Sequence, residues 1–68
     1  MDVKEKFGKR LKFLRMERNI SQEKLALEAG LDRTYIPSIE RGKRNVSIEV
    51  VAKLADALKL PITDFFIE

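Results

Sequence analysis

Sixty-eight residues without a cysteine or a histidine exclude a disulfide framework and leave a zinc site without its usual ligands. A chain this short buries roughly 60% of the surface it exposes when unfolded, so helix packing and self-association must supply what covalent staples supply elsewhere. Residues 1–45 carry twelve Lys and Arg against seven Asp and Glu, while residues 46–68 carry two against four; the split suits a basic half facing a polyanion, or equally a solvated surface of scattered charge.

The first element runs from Val3 to about Arg18. Its apolar residues Val3, Phe7, Leu11 and Leu14 recur at spacings of four, four and three, one face of a helix. Asp2 can cap it, Lys and Arg fill the other faces, and Phe13 lies off the stripe. Ser21 opens a second, short helix with Leu25 and Ala29 inward and Gly30 just past its end. A third candidate begins at Asp32 and ends before Gly42, with Tyr35, Ile36 and Ile39 as its apolar residues. Ser47 caps a fourth, SIEVVAKLADALK, whose Ile48, Val51, Leu54, Ala55 and Leu58 form a stripe. A fifth short helix, around ITDFFI, follows Pro61, which suits a first helical position. No strand alternation, repeat or low-complexity tract interrupts the series. The expectation is one all-α domain over residues 1–68, five short helices in a compact layer.

The stretch LDRTYIPSIERG contains its own difficulty, because Pro37 sits inside the third helix. With Asp32 as cap, Pro37 is the fifth helical residue and breaks a bond to the Arg33 carbonyl. With Thr34 as cap it is the third, where the missing N–H has no helical partner to lose. The expected outcome is a distorted or late-starting turn across residues 32–35.

Helices two and three are joined by Ala29, Gly30, Leu31 and Asp32. Gly30 can adopt the left-handed conformation that turns the chain sharply. A short helix, a glycine turn and a second helix form a helix-turn-helix, here about residues 21–41, in which the second helix offers its first turns to the DNA major groove.

The segments FGKRLKFLRMERNISQEKLALEAGLDRTYI and IERGKRN, together with SIEVVAKLADALKL, resemble the lambda Cro/repressor-type (XRE) helix-turn-helix regulators. The resemblance extends over about residues 5–66. DRTYI and IERG-x-RN in so short a chain look most like the controller proteins of restriction–modification systems. The resemblance implies a lambda-repressor-like fold and a dimer binding a pseudo-palindromic operator in double-stranded DNA. It implies groove-facing places for Arg33, Thr34, Tyr35 and Ser38, a phosphate contact for Gln22 flanked by Ser21 and Arg18, and a backbone-contacting loop at Lys43, Arg44 and Asn45. It also implies a structural ion pair between Arg15 and Glu40. Pro37 departs from the family pattern and bears on the first turn of the reading helix.

The residue chemistry supports these places unequally. Arg33 carries a planar fork that can meet guanine O6 and N7 together, and an arginine in a first helical turn opposes the helix dipole, which argues for a functional reason. Thr34 and Ser38 suit bases, phosphates or plain solvent. The Tyr35 hydroxyl can reach a phosphate, or the ring can simply pack. Ser21 is explained by capping alone. Lys43 and Arg44, following the reading helix, would add non-specific, salt-dependent attraction.

Ile62, Phe65, Phe66 and Ile67 crowd the last residues, more apolar surface than one short helix needs. With Val50, off the fourth stripe, they form the expected dimer face in a dimerisation region of about residues 46–68. No apolar run approaches the ~20 residues of a membrane span, and MDVKEKFGKR lacks the apolar stretch of a signal peptide. Cytoplasmic placement follows as an expectation. Without His, Cys or clustered carboxylates no enzyme is expected, and neither cofactor nor small-molecule ligand. RNA polymerase enters as a partner if the promoter position calls for activation. Two other functions remain open: a phage Cro-like or antitoxin-type repressor, and a protein–protein adaptor that keeps the fold.

Overall fold

The computed structural model describes residues 2–67. Four α-helices, α1 (Val3–Glu17), α2 (Gln22–Ala29), α3 (Tyr35–Glu40) and α4 (Ile48–Leu58), precede a 3-10 helix over Ile62–Phe66. Each boundary has a local cause. Asp2 accepts from the Glu5 N–H at 2.9 Å while Glu5 accepts from the Asp2 N–H at 3.3 Å, a reciprocal cap at the start of α1. Ser21 and Ser47 cap α2 and α4 by accepting from Lys24 N–H at 3.0 Å and Val50 N–H at 3.1 Å. Gly30 stands at φ 71°, and the turn behind it closes with Leu31 N–H on the Ala26 carbonyl at 2.8 Å.

α3 starts late. Its cap is Thr34, so Pro37 is the third helical residue, and the first backbone bond of the helix comes from Ser38 N–H to the Thr34 carbonyl at 3.4 Å. The proline costs no helical bond there. A tighter turn precedes it, with Tyr35 N–H on the Asp32 carbonyl at 3.0 Å.

The fifth element corrects the expectation of five α-helices. Lys59 turns left-handed at φ 58°, and between the extended residues Pro61 and Ile67 lie only the five residues Ile62–Phe66. They close as a 3-10 turn, with Asp64 N–H on the Pro61 carbonyl at 3.0 Å. Its tightness delivers Phe65 to the core, where the ring stacks on Phe7 with centroids 5.3 Å apart.

The core joins Phe7, Leu11 and Leu14 of α1 to Leu25, Ala26 and Ala29 of α2, Ile36 and Ile39 of α3, Val51, Leu54, Ala55 and Leu58 of α4, and Phe65. Leu11, Leu25, Ile36, Ile39 and Leu54 are fully buried, and burying each such side chain contributes about 1.5–3 kcal/mol. Two residues of the expected stripes lie outside the core. Val3 and Ile48 are 73% and 76% exposed, because each is the first residue of its helix and lies beyond the cover of its neighbours. α3 sits against both α1 and α2. Its backbone approaches α1 so closely at Gly8 that an added Cβ would collide with the Ile39 carbonyl oxygen.

Candidate nucleic-acid interface

Four segments meet around α3: the start of α2, the turn before α3, α3 itself, and the loop after Gly42. Arg15 Nε and Nη2 donate to the two Glu40 carboxylate oxygens at 2.7 and 3.0 Å, a bidentate pair. Arg15 Nη1 also donates to the Ile20 carbonyl at 2.9 Å. Gln22 Nε2 donates to Glu40 Oε1 at 2.9 Å. One carboxylate thereby ties α1, α2 and α3 together, with its side chain only 4% exposed.

In the turn, Asp32 accepts from the Thr34 N–H at 2.8 Å and from the Thr34 hydroxyl at 2.6 Å. These two bonds hold the Asp32 carboxyl below its ordinary value of 3.8, the hydroxyl contributing most and Arg33 and Arg44 adding attraction. Asp32 is thus the organiser of the turn, one residue group outside the expected site; an Asp two residues before a Thr is a legible turn signal. Arg33 lies in the open, 79% exposed, with a loose 3.9 Å approach to Glu23, a pairing that water and salt screen. Thr34 is exposed beside it, while Tyr35 and Ser38 are half-buried.

Beyond α3, Lys43 N–H bonds the Ser38 carbonyl at 3.1 Å, and the Lys43 and Asn45 side chains are exposed. Arg44 folds back onto α3, its guanidinium carbon 4.1 Å from the centre of the Tyr35 ring. Ser21 is exposed and engaged as the α2 cap. Arg33 and Thr34 stand at the start of α3, Lys43, Arg44 and Asn45 follow its end, and Ser21 and Gln22 stand at the start of α2.

Two expected residues sit elsewhere. Arg18 Nε donates to the Leu58 carbonyl at 3.0 Å and Nη1 to the Leu14 carbonyl at 3.3 Å. It straps the ends of α1 and α4 together, because orphan carbonyls at those ends accept from two of its nitrogens. Phe65, expected on the dimer face, is only 3% exposed, its surface consumed by Phe7. Ile62, Phe66 and Ile67 stay exposed, at 37%, 63% and 55%, and Val50 is half-buried against the core. Among the described residues no helix is long and apolar enough to cross a membrane.

The helix-turn-helix family model HTH_3 matches residues 11–65. Control protein C.MunI of a Mycoplasma species is 46% identical over 66 residues, covering 96% of this chain and 89% of that one. Control protein C.BamHI of Bacillus amyloliquefaciens is 51% identical over 53 residues, covering 76% and 65%. Among solved structures, the restriction-modification controller protein C.AhdI from Aeromonas hydrophila superposes with a TM-score of 0.91 at 48% identity, covering 93% of this chain and 96% of that one. Match, relatives and geometry agree that this chain belongs to the helix-turn-helix family of lambda Cro/repressor type.

Proposed function

We propose that the protein is a sequence-specific DNA-binding transcriptional regulator, the controller of a restriction–modification system. The observation that carries the reading is the exposed Arg33–Thr34 turn, held at the start of α3 by the Asp32 bonds and flanked by Lys43 and Arg44. A turn fixed from behind leaves the Arg33 fork free for a guanine edge, a contact that contributes about 1–3 kcal/mol of discrimination. Lys43, Asn45 and Gln22 take the phosphate places, which set register and supply salt-dependent affinity. Similarity to three controller proteins supports the controller assignment over a phage Cro-like or antitoxin-type repressor.

Dimerisation is part of the proposal. Each chain carries a single reading helix, α3, so two successive major grooves, one turn or roughly 34 Å apart, take two chains. Ile62, Phe66, Ile67 and Val50 form the face that pairs, Phe65 supporting it from beneath. The dimer works in the cytoplasm on a pseudo-palindromic operator, with RNA polymerase as the further partner where the operator lies beside a promoter.

The test is a selection from a random duplex pool, with titration of the recovered DNA against salt and sedimentation of the free chain at micromolar concentration. Enrichment of a pseudo-palindrome and a dimer are expected. No binding to any duplex at low salt would favour the adaptor reading.

A further inference from the structure

Tyr35 and Arg44 form a contact that base reading does not require. The Arg44 guanidinium carbon stands 4.1 Å from the Tyr35 ring centroid, well inside the range at which a cation rests on an aromatic face. Although it lies in the loop beyond α3, Arg44 is half-buried. Its Nε is sealed from solvent without an acceptor, the one buried side-chain nitrogen or oxygen in that state among the described residues. An arginine with only solvent to serve would turn that N–H outward, because burying it unpaired is unfavourable. Here the guanidinium instead lies against the ring, beside the turn that carries Arg33 and Thr34.

We infer that Tyr35 is a positioning residue whose ring holds the Arg44 guanidinium as a preformed fork for one phosphate of the duplex backbone. The inference rests on the DNA-binding reading and deepens it. A planar fork meets a phosphate through two parallel N–H bonds. One already immobilised on a ring loses less side-chain freedom on binding than a mobile loop arginine. The ring supplies the platform and the hydroxyl does not, so phenylalanine can replace tyrosine where an aliphatic residue cannot.

The experiment measures anisotropy of a fluorescein-labelled duplex, enriched from a random pool by the wild-type chain, across a potassium chloride series. The proteins are wild type, Tyr35→Phe, Tyr35→Leu, Arg44→Ala and the Tyr35→Leu/Arg44→Ala double variant. Tyr35→Leu and Arg44→Ala are each expected to weaken binding about tenfold, equivalent to ~1.4 kcal/mol, and each to flatten the log–log salt slope by about 0.9. The double variant is expected to be no weaker than the worse single one. Tyr35→Phe is expected to cost several-fold less than Tyr35→Leu and to keep the wild-type slope. Losses that add in the double variant, or a Tyr35→Phe loss equal to that of Tyr35→Leu, would overturn the inference. A wild-type chain that binds no duplex would overturn the DNA-binding reading itself, a result distinct from either.

A second measurement guards against misfolding of the leucine variant. Tyr35 is the sole tyrosine and the chain has no tryptophan, so tyrosine emission reports this one stack without DNA. Arg44→Ala changes a loop residue outside the core, and it is expected to alter the intensity or lifetime of that emission in the folded protein. Identical emission would overturn the inference.

Discussion

Removal of the Glu40 carboxylate tests how α3 is held. Glu40 accepts two bonds from Arg15 and one from Gln22, all between 2.7 and 3.0 Å. The Arg15 and Glu40 side chains are 11% and 4% exposed. Glu40→Ala would strand a nearly buried guanidinium, a change that costs about 3–5 kcal/mol. Arg15 keeps its bond to the Ile20 carbonyl, which places the expected loss near the lower end, about 3 kcal/mol. For a domain of this size each kcal/mol moves the melting temperature by about 4–8 °C, so a drop on the order of 12–24 °C is expected. Lys43→Ala, at an exposed loop position, should stay within about 0.5 kcal/mol. Thermal and urea unfolding by circular dichroism give both values. An Arg15→Met/Glu40→Leu double variant should recover most of the loss, since the penalty lies in the stranded charge. Equal melting temperatures for Glu40→Ala and Lys43→Ala would refute the reasoning, as would a double variant as unstable as the summed singles.

Gly8→Ala should destabilise by about 1–3 kcal/mol through overpacking despite alanine's better helix propensity, because its Cβ would strike the Ile39 carbonyl; a higher melting temperature would contradict this. Lys59 holds a left-handed φ of 58°, strained by about 1–2 kcal/mol in a residue with a Cβ. Lys59→Gly should therefore raise the melting temperature, and a fall would reject the strain. The Asp32 carboxyl is held below 3.8 by Thr34. A depressed value means its contribution is present above pH 3.8 and is lost as pH falls through the lower folded value. The Thr34 amide resonance should titrate with a midpoint below 3.8, and a midpoint at or above that value would show the turn bonds absent in solution.

Helix starts were legible because capping is local chemistry: Asp2, Ser21 and Ser47 each needed only the residues three places ahead. The late start of α3 followed from counting which N–H groups a helix leaves unbonded, which made Thr34 the cap that tolerates Pro37. What could not be read was cover. The spacing puts Val3 and Ile48 on buried stripes, yet as first residues of their helices both stay largely exposed. Phe65 looked spare in a crowded terminal run, yet a 3-10 turn aimed it at Phe7. The bond of Arg18 to the Leu58 carbonyl joins residues 40 apart in the chain and leaves no local signal. The Arg15–Glu40 pair joins α1 to α3 across 25 residues of sequence, and only the family resemblance points to it, since nothing local connects the two residues. The Tyr35–Arg44 stack bridges the Gly42 turn and left no pattern in the sequence at all.

The central claim is that Arg33 reads a base at the start of α3. Its most direct test is the affinity of wild type and Arg33→Ala for the selected duplex and for every single-base-pair change in it, at one fixed salt concentration. Arg33→Ala is expected to weaken binding by about 1–3 kcal/mol on the selected duplex and to erase the preference at one G·C pair per half-site, leaving other positions unchanged. A uniform loss across all duplexes, with every preference intact, would contradict it.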